Sequence, residues 1–141
     1  MAKNTDREIV QHIDKEFASL IKSLKDLAGS ATPENLLRSA AAVEQMCGGL
    51  TANLWDDPFE WTLPETLSNA DRIIEYLSEV DLARERAFNS IDDAALTKYI
   101  SVPSGEERLL VSVLLETLVK ASDLRGRAAT EDRPYSCSPP S

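Results

Sequence analysis

Apolar residues recur every three or four positions at Ile9, Ile13, Phe17, Leu20, Leu24 and Leu27, with Lys15, Glu16, Lys22, Ser23 and Lys25 between them. That period gathers the apolar side chains on one face of an α-helix. Thr5-Asp6-Arg7-Glu8 reads as a capping box, Thr and Glu satisfying the amides of the first turn, and Gly29-Ser30 ends the helix. Thr32-Pro33-Glu34 predicts a second start: an N-cap, a proline at the first helical position and an acid beside the positive dipole end. Its stripe is Leu36, Leu37, Ala40, Val43, Met46 and Cys47. Gly48-Gly49 then ends the helix, kinks it or permits close helix contact.

Ser68-Asn69-Ala70-Asp71 caps a third helix, whose inner stripe is Ile73, Leu77, Val80, Ala83, Ala87 and Ile91. Glu75, Glu79, Arg84 and Glu85 form its charged surround. Ile91 to Leu96 reads as a turn or an extra helical turn, and Tyr99 to Pro103 as an extended connector. The fourth helix spans about Glu106 to Ala128, with Leu109, Leu110, Val113, Leu114, Thr117, Leu118, Ala121, Leu124 and Arg125 at helical spacing. It is the most apolar, so it takes the central place. Trp55 to Pro64 is too rich in Asp, Pro and aromatics for regular helix and reads as a structured loop between helices 2 and 3. Pro134, Pro139 and Pro140 deny the end of the chain a helix. The expectation is an all-α domain over residues 1–128, an antiparallel four-helix bundle, followed by a disordered tail over 129–141.

With 24 acidic against 15 basic residues the net charge is −9, which repels phosphate backbones and anionic lipid; no nucleic-acid partner is expected. The first residues lack the apolar core of a signal peptide, and no apolar run nears the roughly 20 residues that span a bilayer. A cytoplasmic protein with no membrane partner follows. Cys47 and Cys137 lie far apart and make neither a zinc pattern nor a disulfide framework.

Three stretches, Val43-Glu44-Gln45-Met46, Trp61-Thr62-Leu63-Pro64-Glu65-Thr66-Leu67 and Leu114 to Arg127, resemble the DinB-like superfamily of metal-binding four-helix bundles. The resemblance runs from about residue 40 to residue 127, and the third stretch, an apolar helix leading to the Arg125-Gly126 pair, is its most telling part. It implies a divalent metal held by three His, one on the second helix and two at i and i+4 on the fourth, a spacing that aims both imidazoles at one point. In this chain the fourth-helix pair falls on Lys120 and Leu124, and the second-helix ligand on Cys47 or Gly48. Neither an ammonium nor an aliphatic side chain donates electrons to a metal, so the resemblance implies a metal-free relative with no cofactor.

The residues of that vestigial site are Glu44, Cys47, Gly48, Glu116, Lys120, Asp123 and Leu124. Cys47 reads first as a small core residue, since no basic neighbour in sequence lowers its pKa. Glu116 and Lys120 stand at i and i+4 in the order that favours an exposed ion pair. Lys120 in a surviving cleft would instead bind an anionic ligand. Asp56 and Asp57 among Trp55, Phe59 and Trp61 read as turn chemistry before Pro58, the aromatics plugging a bundle end or meeting a dimer partner. His12, with Asp14 and Glu16 nearby, reads first as a solvated helix position and otherwise as a place for a stray surface metal. The leading expectation is a non-catalytic binding or oligomeric protein, with a homodimer and a small-molecule ligand as the partners. The alternative is a thiol-dependent transferase or hydrolase rebuilt around Cys47, Glu44 and Lys120.

Overall fold

The computed structural model describes residues 7–29, 33–52, 69–102 and 104–131. Most of these are helical: α1 is Glu8–Leu27, α2 Pro33–Ala52, α3 Ala70–Asn89 and α4 Leu110–Glu131. A 3-10 turn, Asp93–Thr97, and a hairpin of β1, Tyr99–Ser101, with β2, Glu107–Leu109, join α3 to α4. The loop read over Trp55 to Pro64 and the last ten residues of the tail lie outside the described residues. α2 packs most extensively against α4 and also against α3, while α1 packs against α3 and α4 and touches α2 little.

The inward faces follow the apolar period. All six stripe residues of α2, from Leu36 to Cys47, are buried, and the helix runs through Gly48-Gly49 to Ala52 without stopping. On α4 the buried positions are Leu110, Val113, Leu114, Ala121 and Ala128. This helix reaches Glu131, past the boundary read at 128. Three expectations need correction. On α1 the inner residue of the first turn is Val10, whereas Ile9 is 54% exposed. On α3 the inner residue is Arg84, with Ala83 only half-buried. Glu107 to Leu109, read as the start of the fourth helix, form a strand instead.

The hairpin explains that last difference. Tyr99 pairs with Leu109 and Ser101 with Glu107, antiparallel. Gly105 turns the chain at φ +89°, a conformation that favours glycine, with its amide donating to the Val102 carbonyl at 2.9 Å. The pairing extends one residue further, as the Leu110 amide donates to the Lys98 carbonyl at 2.9 Å, so the helix starts only where the ladder ends.

α1 and α3 are clasped end to end by residues far apart in sequence. The N-cap position of α1 is Arg7, whose side chain makes no local cap. Asp93 takes over that role, accepting from the Ile9 amide at 3.1 Å and the Val10 amide at 2.9 Å. Its charge also faces the positive end of the α1 dipole. In return, the Arg7 guanidinium donates to the carbonyls of Phe88 at 2.6 Å and Ile91 at 3.2 Å, at the close of α3. The start of α3 is capped locally and as read: Asn69 accepts from the Arg72 amide at 2.9 Å. Asp93→Ala removes two cap bonds and a dipole partner together, and is expected to lower stability by about 1–2 kcal/mol in urea unfolding. An unchanged midpoint and slope would show that water caps α1 equally well.

Candidate functional site

The polar interior centres on Arg84, which sits in an apolar row of α3 with Leu77, Val80, Ala87 and Phe88. Its side chain is 9% exposed. From α1, Asp14 accepts from Arg84 Nη1; from one turn back on α3, Asp81 accepts from Arg84 Nε at 2.8 Å. Burial works against the guanidinium charge, but the hydrogen bonds to Asp81 and Asp14 outweigh it and hold the group above its ordinary value. A buried charge persists only when paired and hydrogen-bonded, and here two carboxylates from two helices supply both conditions.

Cys47 of α2 lies within the electrostatic reach of this group and is 1% exposed. Burial pushes its thiol up to about 12; Arg84 pulls it down, and Glu44 and Asp14 push it further up. Arg84 is the basic neighbour that the local sequence lacks, yet burial dominates, so the sulfur stays a protonated thiol at neutral pH. Glu44, one turn earlier on α2, accepts from the Tyr76 hydroxyl of α3 at 2.5 Å. Ser39, fully buried on α2, donates to the Ala121 carbonyl of α4 at 2.7 Å and ties those helices together. Among the described residues, no buried side-chain nitrogen or oxygen is left without a hydrogen-bond partner.

The seven positions singled out from the sequence do not form one cluster. Cys47 is buried on α2, and Glu44 and Gly48 are half-buried beside it. On α4, Leu124 is half-buried, whereas Glu116, Lys120 and Asp123 are exposed. The Glu116–Lys120 pair is replaced by a longer-range one, because the hairpin brings Arg108 of β2 to Glu116. That hydrogen bond holds the Glu116 carboxyl below its ordinary value and the Arg108 guanidinium above its own. Asp123 pairs with Arg127 at 3.1 Å, one turn on. His12 is exposed. Asp56 and Asp57 lie outside the described residues. Among the described residues, no group of three or more His, Cys, Asp and Glu side chains is placed to hold a metal ion. No described helix is long and apolar enough to cross a membrane.

The sequence carries no sign of Tyr76 or Asp81 as site residues, and it shows Asp14 only beside His12 and Arg84 only in the charged surround of α3. A signal for Arg84 exists: Ile73, Leu77, Val80, Arg84, Ala87 and Ile91 alternate steps of four and three, an alternation that Ala83 in place of Arg84 breaks. For Asp14, beside exposed Lys15 and Glu16, no comparable signal exists.

Fold and site together define a mostly helical protein with an internal ion-paired knot shared by α1 and α3 and bordered by the thiol of α2. The chain matches no protein-family model, no curated protein and no solved structure in comparison with each.

Proposed function

We propose that this chain is a metal-free relative of the DinB-like bundles that works by binding and not by catalysis. The observation that carries the reading is that the buried and half-buried polar groups are engaged with one another: Arg84 with Asp14 and Asp81, and Glu44 with Tyr76. The positions where the resemblance implies metal ligands hold a buried protonated thiol or glycine on α2, and an exposed ammonium and a half-buried leucine on α4. The proposed architecture is a four-helix bundle with α1 and α4 running one way and α2 and α3 the other. In support of it, the start of α1 meets the end of α3. Glu16, Ser19 and Ser23 of α1 also ascend beside Leu118, Ser122 and Arg125 of α4.

Cys47 separates this reading from a thiol enzyme, which needs an accessible thiolate. In a Cys137→Ser background, so that one thiol reports, Cys47 is expected to react with a small alkylating reagent only through opening of the fold. The rate is then on the order of a thousandfold below that in denaturant, the scale set by an opening free energy of a few kcal/mol. Rapid native-state alkylation with a midpoint near neutral pH would sink the binding reading.

The same thiol leaves a mark on stability. Its folded-state pKa lies above the ordinary 9.0. The unfolded chain therefore loses this proton first as pH rises, and the stabilisation, complete below pH 9, is lost progressively towards about pH 12. The stability difference between the protein and Cys47→Ala is expected to shrink by about 1 kcal/mol per pH unit between about pH 9 and 11. Parallel pH profiles of the two would show that the thiol is not desolvated.

A further inference from the structure

A groove of about 250 Å³ runs between α1 and α4, lined by Ser19 and Ser23 on one side and by Leu118, Ser122 and Arg125 on the other. The small serine side chains keep it open where α1 and α4 face each other. Arg125 is half-buried there, and its Nη1 has only the Ser23 hydroxyl as a hydrogen-bond partner among the described residues, at a long 3.4 Å. The contrast with other arginines is direct. Arg38, Arg84, Arg108 and Arg127 each hold a carboxylate, whereas Arg125, like Arg7, Arg72 and Arg86, forms no ion pair among the described residues; what sets Arg125 apart is that it is half-buried and lines this groove. Among the described residues, a partly desolvated guanidinium is thus left facing a groove lined largely by hydroxyls.

We infer that this groove binds a phosphate group, either as inorganic phosphate or at the end of a small monoester. The guanidinium fork matches two phosphate oxygens at once, and the hydroxyls of Ser19, Ser23 and Ser122 supply donors for the rest. The volume is below the about 300–1,000 Å³ that encloses drug-sized ligands, so the groove suits a phosphate with at most a short organic stem. Glu16, exposed at the same groove, opposes the anion and limits affinity to what Arg125 and the hydroxyls overcome. The inference deepens the binding-protein reading and rests on it only for its biological sense. Cys47 alkylation and phosphate binding are separate measurements, so either can fail while the other stands.

The test is a titration of the isotope-labelled full chain with inorganic phosphate, then with glycerol phosphate, against sodium chloride at matched ionic strength, followed by amide and arginine Nε resonances. The expected result is a saturable shift centred on Ser23, Ser122 and the Arg125 side chain that chloride does not produce. Arg125→Gln is expected to weaken it at least tenfold, Arg125→Lys less, and Ser23→Ala several-fold, whereas Glu16→Gln strengthens it. Tighter binding of the monoester points to an organic phosphate, and equal binding to the free ion; both support the site. Unaltered circular dichroism of each variant shows that the fold is kept. A shift that does not saturate, that chloride reproduces, or that survives Arg125→Gln unchanged overturns the inference.

Discussion

Replacing Arg84 with Met is expected to lower the unfolding free energy by about 3 kcal/mol, the low end of the range for stripping one partner from a buried ion pair. The low end applies because Asp14 and Asp81, at 29% and 33% side-chain exposure, both still reach water. The loss comes from two carboxylates left near each other without the cation that neutralised them, more than from the missing attraction. Removing one of those carboxylates as well is therefore expected to recover part of the loss. Asp14→Leu with Arg84→Met should be more stable than Arg84→Met alone, because it leaves one carboxylate, Asp81, without its cation in place of two. Urea unfolding of the two single variants and the double variant measures this. Strict additivity would mean that Asp14 and Arg84 do not depend on each other, contrary to their hydrogen bond.

Phe88→Ala is expected to be as damaging, by about 3–5 kcal/mol, since it empties a fully buried site at the end of α3. The ring lies 5.5 Å from that of Phe17 on α1, tilted by 43°. The Phe88 carbonyl also receives the Arg7 guanidinium, so backbone slack at this position reaches the clasp that caps both helices. Phe88→Leu keeps most of the volume and is expected to lose about 1 kcal/mol. Combining Phe17→Ala with Phe88→Ala should cost less than the sum of the two, by about 0.5–1.5 kcal/mol, the worth of the ring contact itself. Equal losses for Phe88→Leu and Phe88→Ala would point to the aromatic contact, and not the cavity, as the main source of stability.

The helix starts at Pro33 and Asn69 and the buried stripe of α2 were legible because each depends on neighbours within a turn or two. A guanidinium ordinarily stays wet, which favours Ala83 over Arg84 as the inward residue of α3. That rule fails where two carboxylates wait inside, and one of the two belongs to another helix. Ile9 fits the apolar period of α1 as well as any residue, but the amides of Ile9 and Val10 both turn to Asp93, and that docking leaves Ile9 outside. Glu107-Arg108-Leu109-Leu110 suits a helix by composition; the strand won because Tyr99 to Ser101 pairs with it across the turn at Gly105. In the candidate site, Cys47 and Glu44 are legible by residue type and place on α2, but the Arg84 whose charge reaches one and the Tyr76 that bonds the other lie on α3 and are not.

The order of amino acids alone determined that four helical segments form and, for most of their length, which side turns inward. Apolar period, proline starts and asparagine caps act along the chain over distances shorter than a helix. Only the tertiary structure decided that Asp14 meets Arg84 across 70 residues, that Asp93 caps α1 across 83, and that Arg125 lacks an acidic partner among the described residues. Charges and hydrogen bonds act over a few ångströms of space, so their partners are chosen by how helix faces pack and not by separation along the chain.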